Sequence, residues 1–261
     1  MDKLSVIKIG GNIIDDEAKL NLFLKNFAAL IGKKILIHGG GKLATKLAAQ
    51  LNIQQQMVDG RRITDVETLK IVTMVYAGAI NKNIVARLQS EKCNAIGISG
   101  ADGNAIMAHK RKHETIDYGF VGDVDRVNTS FLQSLIENNI CPIVAPITHD
   151  GKGQLLNTNA DTIAQEIAKA LSNQYEVSLI YSFEKAGVLL DTEKEDTVIP
   201  VLTPGKYEEL KAAGKIFAGM IPKLDNAFAA LQQGVNKVII GQAENLATLI
   251  SGKSGTSIKN E

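Results

Sequence analysis

The sequence predicts an α/β fold, a three-layer αβα sandwich around an open, mainly parallel central sheet. Short β-rich apolar runs alternate with longer segments in which apolar residues recur every three to four positions, a pattern typical of βαβ units. Strands of such a sheet are buried on both faces and are apolar along their length. The chain has 261 residues, of which 45% are hydrophobic and 22% charged, so it is long enough and apolar enough to bury a large core.

Six segments are predicted to be strands of this sheet. In chain order they are residues 4–9, 34–37, 95–99, 140–145, 177–181 and 237–240. Most of them are separated by a segment with helical spacing, so we expect crossover connections between parallel strands.

Two of the predicted helices have marked ends. Thr64 and Glu67 form a capping-box pattern ahead of a long helix expected to reach Leu88. Pro222 stands at the entrance of a later helix, and Gly234 is expected to end it.

Two hairpins are also predicted. Asp59 and Gly60 are the residues of a tight turn and stand between short β-rich segments. A second hairpin or bent strand pair is expected within residues 118–127.

The composition argues against two classes of partner. Basic and acidic residues number 29 and 28, aromatic residues make up 5%, and there is no tryptophan. A nucleic-acid partner is therefore not expected, because such surfaces combine clustered Lys and Arg with stacking aromatics. No apolar run approaches the roughly 18 residues of a membrane span, and no signal peptide is predicted. Cys93 and Cys141 are expected to be reduced thiols, which fits a cytoplasmic location.

Glycine-rich loops follow the first two predicted strands. Gly10 and Gly11 follow the first strand, and the run His38 to Gly41 follows the second and leads into a helix. Ligands of open α/β sheets bind at the carboxyl ends of the strands, where glycine lets backbone N–H groups converge on an anion. Either loop alone is compatible with a plain turn, whereas the pair favours phosphate binding. A third loop, residues 97–103, has a similar position.

Three further positions carry chemistry. Lys8 ends a buried strand, where a lysine is costly unless it faces an anion. Within the run Asn157 to Asp161, Asn159 or Asp161 could instead cap the following helix. Taken alone, Lys223 is typical of a surface lysine.

The order of these motifs resembles the acetylglutamate kinases of the amino-acid kinase superfamily. The resemblance covers essentially the whole chain, although single motifs recur in kinases of aspartate, glutamate, carbamate and UMP. The residues that carry it are 8–11, 38–41, 59–64, 97–103, 157–161 and 219–223.

The resemblance implies ATP-dependent phosphorylation of the γ-carboxylate of N-acetyl-L-glutamate, or of another N-acyl-L-glutamate such as the N-succinyl compound, in arginine biosynthesis. ATP would carry Mg²⁺, and no protein ligands to a metal are expected. The implied residues are catalytic Lys8, Lys223 and Asp161; phosphate-binding Gly10, Gly11, Gly39 and Gly40; and substrate-binding Gly40, Gly41, Arg62 and Asn157.

The resemblance also implies an organisation of the chain. Residues 1–170 would bind the acyl amino acid and dimerise through the long helix after Thr64, and residues 171–261 would bind the nucleotide, with one sheet running through both. The absence of an extra helix before the first strand implies weak or absent arginine feedback. Phe183 stands where the family usually has an acid, so the adenine and ribose contacts are not carried over.

Two alternative functions remain open, and a third is disfavoured. A related kinase could act on free aspartate or glutamate, and a non-catalytic sensor could bind nucleotide or amino acid. A dinucleotide-binding oxidoreductase would require an acid about 20 residues beyond a GxGxxG turn, which the order of motifs does not provide.

Overall fold

The computed structural model describes residues 1–58, 61–191, 194–216 and 220–260. The strands are β1 Asp2–Ile9, β2 Lys33–His38, β3 Met57–Val58, β4 Arg61–Arg62, β5 Ala95–Ile98, β6 Ile106–Lys110, β7 Gly122–Val127, β8 Cys141–Val144, β9 Ile147–His149, β10 Leu155–Asn157, β11 Tyr175–Phe183, β12 Val201–Leu202, β13 Lys237–Gln242 and β14 Thr256–Ile258. The helices are α1 Gly11–Ile14, α2 Glu17–Ala29, α3 Gly41–Gln50, α4 Val66–Thr73, α5 Asn81–Ser90, α6 Thr129–Glu137, α7 Ala160–Leu171, α8 Pro204–Ala212, α9 Ile221–Gln232 and α10 Leu246–Ile250.

An eight-stranded sheet forms the middle layer, in the order β12-β14-β13-β11-β1-β2-β8-β5. The six strands from β13 to β5 are parallel and correspond to the six predicted segments. The predicted α/β class and mainly parallel sheet are therefore confirmed. The two short strands at one edge were not predicted, and β14 runs antiparallel to β13.

Helices cover both faces of the sheet because successive side chains of a strand point to opposite sides. Val6 of β1 belongs to the same buried core as Ile167 of α7 and Leu224 of α9. Its neighbour Ile7 belongs to a second core with Phe23 of α2 and Ile84 of α5. The three-layer arrangement is thus confirmed.

A second, four-stranded sheet has the order β10-β9-β6-β7. The predicted hairpin within residues 118–127 is wrong, since this segment supplies one strand, β7, whose antiparallel partner is β6. The two strands are joined by residues 111–121, a connection too long for the local turn signals on which a hairpin prediction depends.

The helix predicted after Thr64 exists, but its cap is shifted by one residue. Asp65 is the N-cap, and its carboxylate accepts a hydrogen bond from the Thr68 N–H at 2.7 Å. The Thr64 hydroxyl instead donates to the Arg62 carbonyl oxygen at 3.1 Å. A π-helical turn, Met74–Ile80, joins α4 to α5, so the helical segment continues to Ser90.

The other marked ends agree with the structure. Pro222 lies in the first turn of α9, and Gly234, with a φ of +96°, follows the end of that helix. The strands β3 and β4 pair antiparallel, as the first hairpin prediction requires, while Asp59 and Gly60 lie outside the described residues. Among the described helices, none has the length and apolar character needed to cross a membrane.

Candidate active site

The two glycine loops lie side by side at the carboxyl ends of β1 and β2, which are adjacent parallel strands. The Gly10 N–H donates to the Ser182 carbonyl oxygen of β11 at 3.1 Å, which fixes the first loop against the neighbouring strand. A Cβ atom placed on Gly39 would lie 3.9 Å from the Gly11 nitrogen. The backbones of the two loops therefore approach each other as the sequence predicts.

Gly40 has a conformation that only glycine adopts without strain. Its φ and ψ are +152° and 15°, and a Cβ atom there would lie 2.2 Å from the Ile80 Cδ1 atom. The Gly40 carbonyl accepts a hydrogen bond from the Ala44 N–H at 3.1 Å, so α3 begins directly behind the loop. The N–H groups of the first turn of a helix suit an anion such as a phosphate.

Two lysines share one carboxylate beside these loops. The Lys8 Nζ atom lies 2.8 Å from Asp161 Oδ1, and the Lys223 Nζ atom lies 2.5 Å from Asp161 Oδ2. The side chains of Lys8, Asp161 and Lys223 are 12%, 15% and 28% exposed, so the cluster is only partly open to solvent. Residues from β1, α7 and α9 thus hold two ammonium groups at fixed positions.

The charges in this cluster affect the pKa values of Asp161 and Lys8. Burial alone would raise the pKa of Asp161, but the ammonium groups of Lys8 and Lys223 outweigh it and hold that pKa well below its usual range. Burial lowers the pKa of Lys8, whereas the Asp161 charge opposes that shift. Asp161 is therefore a carboxylate at neutral pH and favours the protonated form of Lys8.

The local sequence explains how Asp161 is aimed at the lysines. Asn159 is the N-cap of α7, and its side-chain oxygen accepts hydrogen bonds from the N–H groups of Asp161 at 2.8 Å and Thr162 at 3.2 Å. Of the two residues that could cap the helix, Asn159 does so. The Asp161 side chain is consequently available to the lysines.

A cleft of about 200 Å³ adjoins this cluster. Its lining includes the second glycine loop, the side chains near the β3–β4 hairpin and the residues just before Asp161. The lining residues are Gly39, Gly40, Gly41, Met57, Arg61, Arg62, Tyr76, Val121, Pro146, Asn157, Thr158, Asn159 and Ala160.

Arg62 is held rigidly at the wall of the cleft. Its guanidinium donates to the Gly41 carbonyl oxygen at 3.0 Å, to the Thr45 hydroxyl at 2.9 Å and to the Gln55 side-chain oxygen. The side chain is 8% exposed, so few orientations are open to it. A guanidinium in this position suits a carboxylate ligand.

Asn157 lies at the end of β10 on another part of the wall. Its amide nitrogen donates to the Thr64 hydroxyl at 3.0 Å. The structure thus brings Arg62 and Asn157 to one cleft, together with Gly40 and Gly41.

The third glycine loop has a structural role. A Cβ atom on Gly97 would lie 1.9 Å from the Asn81 Oδ1 atom, and one on Gly100 would lie 2.7 Å from the Ile106 carbonyl oxygen. These glycines make room for neighbouring groups, and the loop follows β5 as the sequence predicts. Gly219, part of the motif that ends in Lys223, lies outside the described residues.

Sequence reasoning missed the residues that hold Arg62. Thr45 and Gln55 are ordinary helix and loop residues in the sequence, and no motif includes them. Their role follows only from the packing of α3 against the hairpin. Phe183, where the family pattern is broken, continues β11 and pairs with Gln242 of β13. Among the described residues, no group of three or more His, Cys, Asp or Glu side chains is arranged to hold a metal ion.

The three-layer fold, the paired glycine loops and the two lysines on one carboxylate define a small-molecule kinase. The model of the amino acid kinase family matches residues 3–242, and the chain belongs to that family. It is 56% identical to the acetylglutamate kinase of Phocaeicola vulgatus over 99% of both chains, and 59% identical to that of Cytophaga hutchinsonii over 96% of both. Membership of a kinase family implies ATP as the phosphoryl donor.

Solved structures share this fold. A protein from Streptococcus mutans superposes with a TM-score of 0.82 at 28% identity, covering 100% of this chain and 99% of that one. A carbamate kinase from Giardia lamblia, solved bound to AMP-PNP, has a TM-score of 0.70 over 100% and 99% of the two chains. At 15% identity, the second likeness shows the fold alone.

Proposed function

We propose that the protein transfers the γ-phosphoryl group of ATP to the γ-carboxylate of N-acetyl-L-glutamate, which yields an acyl phosphate for arginine biosynthesis. The observation that carries this proposal is the Lys8–Asp161–Lys223 cluster, in which Asp161 follows directly on Asn159 and Ala160 in the wall of a cleft that is also lined by the buried Arg62. The high identity to acetylglutamate kinases supports the choice of acceptor.

The chemistry needs no general base. A carboxylate is already ionised at neutral pH, so one of its oxygens attacks the γ-phosphorus directly. The bond between that phosphorus and the bridging oxygen breaks, and ADP leaves with the electron pair. Catalysis then depends on positioning and on stabilising the charge of the transferred group, which Lys8 and Lys223 supply as cations.

The glycine loops and the cleft would bind different groups. Gly10, Gly11, Gly39 and Gly40 would hold the phosphates through their N–H groups, and α3 adds the positive end of its dipole. Mg²⁺, carried with the nucleotide, would offset part of the phosphate charge. The residues present fit a polyphosphate, because cations and N–H donors surround the loops.

The acceptor would lie in the cleft. Arg62 would bind its α-carboxylate, and Asn157, Gly40 and Gly41 would bind neighbouring polar atoms. The acyl group would face the side of the cleft formed by Met57, Arg61 and Tyr76. N-succinyl-L-glutamate, which has a longer and charged acyl group, is the second candidate acceptor.

Three further features belong to the proposal. Residues 1–170 would form the acyl-amino-acid lobe and residues 171–261 the nucleotide lobe. A homodimer would form through the helical segment after Thr64, on which Val66 and Met74 are both more than half exposed. Cys93 and Cys141 are free thiols, which suits a reducing cytoplasm.

The test measures phosphoryl transfer from Mg·ATP to N-acetylglutamate, N-succinylglutamate, free glutamate and aspartate. ADP release and trapping of the acyl phosphate with hydroxylamine give two independent readouts. We expect activity on one acylated glutamate, and a loss of roughly 10²-fold or more in both Lys8→Ala and Lys223→Ala. Lys169→Ala is the matched control, because it removes a lysine–carboxylate pair of α7 outside the cleft.

Each alternative predicts a different result. Turnover of free aspartate or glutamate in preference to the acylated compounds would identify a related kinase instead. Folded protein that binds nucleotide but turns over none of the four acceptors would favour a non-catalytic sensor.

A further inference from the structure

A buried polar network lies directly behind the second glycine loop. His38 is fully buried, and its Nδ1 atom lies 2.9 Å from the Gly39 carbonyl oxygen. Its Nε2 atom lies 3.1 Å from the side-chain nitrogen of Asn81, a residue that is 1% exposed. The same Asn81 nitrogen donates to the Ile143 carbonyl oxygen at 2.9 Å.

These contacts allow one protonation state of His38. The Ile143 carbonyl can only accept, so it fixes which end of the Asn81 amide is the NH₂ group. That NH₂ group can only donate to His38, so Nε2 must be the acceptor. Since the Gly39 carbonyl also only accepts, the proton of the neutral ring is on Nδ1. Burial lowers the pKa of His38 to about 4, which agrees with a neutral ring.

The hydrogen bond from His38 determines the direction of the next N–H group. In a trans peptide the C=O of one residue and the N–H of the next point in opposite directions. Holding the Gly39 carbonyl towards His38 therefore directs the Gly40 N–H to the other side. Gly40 lines the cleft, and its N–H makes no hydrogen bond to any described residue.

The neighbouring elements are built to accommodate Asn81. It follows the π-helical turn Met74–Ile80, and the wider turn changes which face of the helix the following residues occupy. The glycine at position 97 of β5 leaves the space that the Asn81 amide fills, since a Cβ atom there would lie 1.9 Å from Oδ1.

We propose that Asn81, acting through His38, is a positioning residue that keeps the Gly40 N–H aimed at the group undergoing transfer. Asn81 holds His38 as its Nδ1–H tautomer, and His38 holds the Gly39–Gly40 peptide plane. The benefit arises in the transition state, where negative charge on the transferred phosphoryl oxygens meets a donor already in place. This inference rests on the phosphoryl transfer proposed above.

The first experiment observes the tautomer directly. Protein labelled with ¹⁵N-histidine is studied by two-bond ¹H–¹⁵N correlation at neutral pH, and His38 is assigned by the signal lost in His38→Asn. We expect a protonated Nδ1 and an unprotonated Nε2 in the wild type. In Asn81→Asp the carboxylate cannot donate to the ring, so Nε2 should become protonated.

The second experiment compares two replacements of His38. An asparagine places its NH₂ group close to the position of Nδ1 and can still donate to the Gly39 carbonyl, whereas a glutamine reaches towards the position of Nε2. We expect His38→Gln and Asn81→Asp to lower kcat about 10²-fold with little change in KM, and His38→Asn to recover much of that loss. Gln89→Glu is the matched control, because its amide also donates to a strand carbonyl, that of Ala95, without touching His38.

The outcomes separate this inference from the proposed function. A wild-type His38 protonated on Nε2 would overturn the inference even if every variant failed to fold. A folded His38→Gln enzyme with kcat within about twofold of the wild type would also overturn it, since a misplaced donor should cost far more. Wild-type protein without turnover on any acceptor would instead contradict the proposed function, while the tautomer measurement would still test the network.

Discussion

Replacing Asp161 by asparagine preserves the shape of the side chain but removes the negative charge that Lys8 and Lys223 share. The ammonium nitrogens lie 2.8 and 2.5 Å from its oxygens. For unit charges about 3 Å apart, the attraction is roughly 5 kcal/mol at an effective dielectric constant near 20. The partial exposure of the cluster reduces this value, yet a large part of it is lost in the variant.

Losing this attraction changes the pKa of Lys8 in a predictable direction. Asp161 favours the protonated form of Lys8, whose pKa is already lowered by burial. Without that carboxylate the pKa of Lys8 falls further, and the two lysines repel each other without a charge between them. We expect kcat to fall by roughly 10²–10³-fold at neutral pH, as for the loss of a transition-state donor. The alkaline limb of the kcat–pH profile should move to lower pH, because the required cation is lost earlier.

The assay follows acyl phosphate formation by hydroxylamine trapping across a pH series, with thermal unfolding as a check on folding. Glu166→Gln is the matched control, since it removes a carboxylate from the same helix whose ion pair is with Lys169 rather than with Lys8 or Lys223. A folded Asp161→Asn enzyme with kcat within about threefold of the wild type and an unmoved alkaline limb would refute the reasoning, because the pKa linkage requires both to change.

Two further predictions concern the walls of the site. Gly40→Ala places a methyl group 2.2 Å from Ile80 at a φ of +152°, so we expect a stability loss of about 1–3 kcal/mol in chemical denaturation and a lower kcat. Gly205→Ala, on a helix with open space around it, is the control and should be neutral or slightly stabilising. Equal effects of the two changes would contradict the steric argument. Arg62→Lys keeps the charge but loses the planar guanidinium, so the KM for the acylated glutamate should rise about tenfold or more while the KM for ATP changes little. A selective rise in the KM for ATP would argue against the assignment of Arg62 to the acceptor.

The six parallel strands of the central sheet could be predicted because each of them carries its own signal. The segments that became β1, β2 and β11 are rich in apolar and β-branched residues, which is typical of a strand buried on both faces. The pair β6 and β7 gives no comparable signal, since its residues are partly exposed and its partners are far apart in the chain. The shifted cap at Asp65 has a similar origin: two adjacent residues can cap a helix, and the tertiary bond of Thr64 to Asn157 decides between them.

At the site, sequence reasoning could single out only those residues that belong to recognisable motifs. Lys8, Asp161 and Lys223 are far apart in the chain, yet the order of the motifs singled out all three, and the structure brings their side chains together. The supporting residues Asn81 and Gln55 were not identified, since a single side-chain amide has no pattern in the sequence. Their roles depend on which atoms face them in the folded chain.

The position of β1 between β2 and β11 has a consequence for how the chain comes to be folded. Residues 2–9 pair with residues 175–182, so one edge of β1 has no partner while the intervening segments are being translated. During that interval an open strand edge and the apolar side chains beside it are available for pairing with other chains. Closing the sheet requires a contact between distant parts of the chain, which slows folding. Lys8 lies near the end of β1 and Lys223 follows β11 in the chain, so an incomplete polypeptide that stops before β11 has both an exposed edge and an incomplete Lys8–Asp161–Lys223 cluster.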